Sequence, residues 1–159
     1  MHIRNTRALI GVVSILAALG VFGLMKTDAF NAEPRSPAVE LEPDQLAVVS
    51  QGAVSYQQYC AVCHGKNLEG QGNWRQRDQS GRLPAPPHDE TGHTWHHPDQ
   101  MLFTILKDGI TSLIDDPNYA TNMPVYGDIL SDQEIVAVLS YIESTWPESI
   151  RNQRATARE

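Results

Sequence analysis

Only two cysteines occur among the 159 residues, which excludes both a disulfide framework and a zinc site built on four thiolates. Aromatic residues are scarce at 7%, so a domain this small is marginal unless something other than side chains fills part of its core. Basic residues are also in deficit. With 12 Lys and Arg against 19 Asp and Glu the net charge is -7, which removes nucleic acid from the expected partners. There is no Gly-rich phosphate loop, no nucleophile elbow and no recognisable pair of catalytic carboxylates. No internal repeat is found and no strand-like run stands out, so one small helical unit with appendages is the expected organisation.

What the chain does have begins at its N-terminus. Ala8 to Met25 form an unbroken apolar run whose most polar member is Ser14. As a helix it spans roughly 27 Å, close to the thickness of a bilayer core. Arg4, Arg7 and the amino terminus precede it and Lys26, Asp28 and Glu33 follow, a basic excess that keeps the N-terminus in the cytoplasm and exports the remainder. A cleaved signal peptide is the competing reading, but its apolar region is usually only about 7–15 residues long. Residues 1–26 are therefore expected to be an uncleaved anchor. Residues 27–43 carry Pro34, Pro37 and Pro43 without apolar periodicity and read as a tether. Residues 44–150 form the folded domain. Residues 151–159, with Arg151, Arg154 and Arg158, read as a basic tail that is either unstructured or drawn to anionic lipid.

Both cysteines fall in one pentapeptide, Cys60-Ala61-Val62-Cys63-His64. C-x-x-C-H is the attachment sequence of a c-type haem: one turn presents two thiols to the two vinyl groups of a porphyrin while the adjacent imidazole reaches the iron. A thioredoxin-like pair needs a βαβ setting that is not apparent here, and a zinc site lacks its second ligand pair.

Leu46, Val49, Ala53, Tyr56, Cys60 and Cys63 recur at spacings of three and four, one face of a helix leading into the motif, with Pro43 suited to its first turn. A second helix is expected over 99–109, opened by Pro98 and stopped by Gly109. A third starts with a capping box, Ser131 with Glu134, presents Ile135, Val138, Leu139, Ile142 and Trp146 on one stripe, and ends at Pro147.

Gly52, Tyr56, Cys60, Cys63, His64 and Gly65 resemble the class I cytochrome c pattern G-x-x-x-Y-x-x-x-C-x-x-C-H-G. Asn122-Met123-Pro124-Val125-Tyr126-Gly127 and the segment from Leu130 to Ile142 are similar to that family's C-terminal half, so the resemblance covers roughly residues 46–147. It implies an all-α cytochrome c fold, three main helices and loops around one covalently attached haem c, here preceded by one transmembrane helix. It also implies a close crossing of the first and last helices at Gly52, with Tyr141 packed nearby.

The resemblance and the motif together name the site. Cys60 and Cys63 are the attachment points and His64 is one axial ligand of the iron. Its other ring nitrogen is expected to donate to a backbone carbonyl, which a proline loop provides in the resembled family. Pro84, Pro86 and Pro87 are the candidates, and Pro86 is the one assigned. For the opposite axial position, Met123 precedes Pro124, which favours a non-helical loop, and it lies in the family-like setting. Met101 sits on an amphipathic helix as core filling, and His88, His93, His96 and His97 are the imidazole alternatives. In that His-rich loop Trp95 is expected to donate to a haem propionate.

Two strong axial ligands close the iron to substrates, so one-electron carriage is expected rather than catalysis. The protein is then a membrane-anchored electron carrier or the cytochrome subunit of an oxidoreductase, a single-pass protein of the bacterial inner membrane with its domain in the periplasm. Over residues 40–150 five basic residues face sixteen acidic ones, a net of -11, so redox partners of the respiratory chain are expected to present a basic docking patch. The alternatives are a haem-based enzyme or sensor with a displaceable distal ligand, and a copper-handling protein that uses the His-rich loop.

Overall fold

The computed structural model describes residues 38–158. The expected anchor at 1–26 and the tether up to residue 37 lie outside the described residues. Among the described residues all regular structure is helical, and no helix is long and apolar enough to cross a membrane.

Helix α1, Leu46–Tyr59, follows Pro43 and buries Gly52, Ser55 and Tyr56, with Val49 and Ala53 half-buried. Leu46 differs from expectation. At the first helical position it is 83% exposed, so the buried face starts a turn later. The chain bends at Cys60 and resumes as the single turn α2, Ala61–His64, which Gly65 ends with φ +84, a left-handed value that favours glycine. Helix α3, Asp99–Asp108, runs from Pro98 to Gly109. Helix α4, Asp132–Ser144, starts with the complete capping box. The Ser131 hydroxyl accepts from the Glu134 N–H, and the Glu134 carboxylate accepts from the Ser131 N–H at 2.8 Å. Two 3-10 turns, Thr94–His96 and Ile110–Ser112, flank α3.

The core forms where α1 crosses α4. A Cβ on Gly52 would lie 1.9 Å from the Ala137 carbonyl oxygen and 2.9 Å from Tyr141 Cβ, so the two backbones touch at this point. Tyr56, fully buried, packs its ring against Tyr141 with centroids 5.4 Å apart. Ile135, Val138, Leu139, Ile142 and Trp146 are all buried, as the stripe of α4 requires.

Pro147 ends that stripe but not the fold. A further helix, α5, Glu148–Arg158, occupies the stretch read as a basic tail. Its polar sequence carries no apolar stripe, yet Ile150 packs on the core, Arg151 pairs with Asp44 at 3.0 Å, and Arg154 turns inward to 6% exposure. The folded unit therefore extends past residue 150, and Arg154 is drawn inward by charged and carbonyl partners rather than by hydrophobicity.

Candidate functional site

The bend at the end of α1 places Cys60 in the core and leaves Cys63 exposed; neither is in a disulfide. Burial, with the neighbouring Cys63 second, pushes the Cys60 thiol up to about 11. His64, at the C-terminal end of α2, is buried, and its Nδ1 lies 2.8 Å from the Pro86 carbonyl oxygen. Nδ1 therefore carries the proton and donates it, which leaves Nε2 as the lone-pair nitrogen able to hold a metal. Burial lowers the pKa of this imidazole and the Pro86 bond opposes it only partly, so the ring is neutral near pH 7.

Pro86 reaches His64 because the loop after the motif folds back on itself. Gly70 N–H donates to the His64 carbonyl at 2.7 Å, and His88 N–H to the Leu68 carbonyl at 2.8 Å. Leu68 takes a left-handed φ of +67 and is buried, so the loop is held by packing against its own backbone preference. The Tyr56 hydroxyl donates to the Gly65 carbonyl at 2.9 Å, which ties α1 to the exit of the motif.

The His-rich loop does not gather into a metal centre. The His88 ring lies stacked on His64, centroids 4.0 Å apart, and its Nδ1 is 2.8 Å from Thr94 Oγ1. Stacked face to face at this distance, the two rings leave no room for a metal ion between them. His93 stacks on Trp74 at 5.2 Å and His96 on Trp95 at 3.6 Å. Among the described residues no group of three His, Cys, Asp or Glu side chains is disposed to hold a metal ion.

Met123 and Trp95 both pack, half-buried, against the cluster that contains Cys60. The loop carrying Met123 is fastened at three points. Tyr126 N–H donates to the Leu106 carbonyl at 2.9 Å, Gly127 N–H to the Lys107 carbonyl at 3.0 Å, and the Tyr126 hydroxyl to the Tyr59 carbonyl at 3.0 Å. Tyr59 immediately precedes the motif, so Tyr126 joins the Met123 loop to the cysteine turn. Met101, the other thioether considered, stands 38% exposed on α3.

Comparison with protein families matches residues 49–146 to the family described as cytochrome c. The chain belongs to the cytochrome c family. Searches of curated proteins and of solved structures gave no match. Members of this family bind haem c covalently, one for a single domain of this kind, and the cofactor of this cytochrome is accordingly haem c. A cytochrome c domain is typical of electron-transfer proteins.

The residues present fit that cofactor. Trp95 Nε1 is buried with no hydrogen-bond partner among the described residues, an arrangement that costs about 1–3 kcal/mol unless an acceptor is supplied from elsewhere. A haem brings two propionate carboxylates, acceptors of the required kind. The paired thiols and a tautomer-fixed imidazole supply the remaining donors. Three contributors were missed by sequence reasoning. The roles of His88 beside His64 and of Tyr126 as a strut had no local signal, although both residues lie in segments singled out above. Arg154 lay in a segment read as tail.

Proposed function

We propose that this is a membrane-anchored monohaem c-type cytochrome that carries single electrons between respiratory redox partners. Haem c supplies the one-electron change between ferrous and ferric iron. Cys60 and Cys63 would bond it covalently, and His64 Nε2 and the Met123 thioether would hold the iron from its two faces. The observation that carries this reading is the bond from His64 Nδ1 to the Pro86 carbonyl, which fixes the imidazole as a neutral ligand with its free lone pair on Nε2.

Met123 supports the carrier role because a thioether ligand raises the potential relative to imidazole, and its loop is pinned rather than free to swing away. A site filled on both faces leaves no place for a substrate at the iron, which favours carriage over catalysis. The apolar run at 8–25 and its charged flanks support single-pass anchoring in a bacterial inner membrane with the domain on the periplasmic side. A cytochrome c domain is consistent with that extracytoplasmic location. The acidic domain favours partners with a basic docking patch, with association that weakens as salt rises.

An optical spectrum of the oxidised protein tests the ligand set. Wild type is expected to show a thioether-to-iron charge-transfer band at long wavelength, and Met123→His to lose it. A spectrum unaltered by the substitution rejects Met123. Prompt carbon monoxide binding by the reduced protein at neutral pH rejects the carrier in favour of an open haem site.

A further inference from the structure

The family match ends at Trp146, and α5 lies wholly beyond it. From this extra helix the Arg154 side chain enters the interior. Arg154 Nη1 donates to two backbone carbonyls, Trp95 at 2.8 Å and His97 at 2.7 Å, while Nη2 donates to the Asp99 carboxylate. Glu143 lies 3.9 Å from Nε, and the guanidinium sits 5.0 Å from the centroid of Trp146. The Arg154 side chain is 7% exposed and that of Asp99 is 9% exposed.

The carbonyls it holds belong to the 3-10 turn Thr94–His96 and its exit. A single turn has almost no stability of its own, and its last carbonyls have no partner within the turn. Arg154 satisfies two of them with one planar fork and clamps the same fork to Asp99 at the start of α3. Trp95 sits in the middle of that turn with its indole N–H buried and without an acceptor among the described residues. We propose that Arg154 is a positioning residue, which acts through the Thr94–His96 turn to hold the Trp95 N–H toward the cofactor. This rests on the presence of haem c but not on which residue is the second axial ligand. A lysine at 154 cannot reproduce the arrangement, because an ammonium lacks the rigid fork that spans two carbonyls and a carboxylate.

Hydrogen exchange of the indole protons, followed by NMR in the haem-loaded protein, separates this role from general support of the fold. Trp146 is the internal reference, since its Nε1 donates to the His88 carbonyl at 2.7 Å. In Arg154→Gln the Trp95 indole proton is expected to exchange roughly tenfold faster or more while the Trp146 proton changes far less, because the hydrogen bonds lost hold the turn that carries Trp95 and its anchor Asp99, whereas the guanidinium only overlies the Trp146 ring and takes no part in the Trp146 bond to the His88 carbonyl. The midpoint potential is expected to shift with it. Arg154→Lys is expected to fall between wild type and Gln in both measurements, and it provides the comparison if the Gln variant does not fold. A Trp95 proton that keeps its wild-type rate, or that accelerates only in step with Trp146, overturns the proposal. Either result leaves the Met123 spectrum, and so the carrier reading, to stand or fall separately.

Discussion

Trp146 Nε1 donates to the carbonyl oxygen of His88 at 2.7 Å, across 58 positions of sequence. The bond joins the end of α4 to the residue whose ring is stacked on His64, so the last turn of the core supports the proximal side of the site. The donor is buried in a residue only 3% exposed. Trp146→Phe keeps most of the apolar volume and removes the donor. It is expected to destabilise the domain by about 1 kcal/mol, the net worth of a typical hydrogen bond, because this one is only partly buried. Urea denaturation measures it, and an unchanged midpoint would show that the bond contributes nothing.

The α1–α4 crossing sets a sharper expectation. Alanine is the better helix former by about 1 kcal/mol, so on propensity alone Gly52→Ala stabilises. Its Cβ, however, would meet a backbone oxygen at 1.9 Å, and no rotamer change moves a backbone oxygen. The helices must separate, at about 1–3 kcal/mol or more, and the net effect is expected to be destabilising. Chemical denaturation of the variant decides the sign.

Tyr126→Phe removes the strut between the Met123 loop and the Tyr59 carbonyl. One hydrogen bond of about 1 kcal/mol is at stake, so overall stability changes little. With Met123 on the iron as proposed, local opening of its loop becomes roughly fivefold easier, and added imidazole should displace the thioether at correspondingly lower concentration. Equal imidazole affinity in variant and wild type would mean that the strut does not govern the loop.

The capping box gives a pH dependence of definite sign. The Ser131 N–H, followed by its hydroxyl, lowers the Glu134 carboxyl below its ordinary value of 4.5. A carboxylate depressed in the folded state stabilises above the unfolded value, and that contribution disappears as pH falls through the folded one. Wild type is therefore expected to lose stability relative to Glu134→Gln as pH falls past the ordinary value of 4.5 and on through the lowered one, with no divergence at neutral pH. Melting temperatures of the pair at several pH values test this, and parallel curves would discount the charge.

The α4 cap at Ser131 and the stop of α3 at Gly109 were legible because each is a local signal, complete within a few residues. The Gly52 crossing was legible only through the resemblance, since nothing near Gly52 in sequence shows what approaches it. For His64 the sequence offered three prolines, and Pro86, the one assigned, is the one whose carbonyl faces the ring; no local signal separates the three, because the match depends on how the loop from Leu68 to His88 returns. Arg154 was hidden for a different reason. Its partners Asp99 and Trp95 stand 55 and 59 positions away, and a buried charge leaves no periodic apolar trace in the helix that carries it.

The two sulfurs of the cysteine turn face unlike surroundings: Cys60 is 8% exposed, while Cys63 stands open to solvent. Adjacent on one turn, the pair is split by the surface of the molecule, so a reagent arriving from solvent reaches the second sulfur more readily than the first.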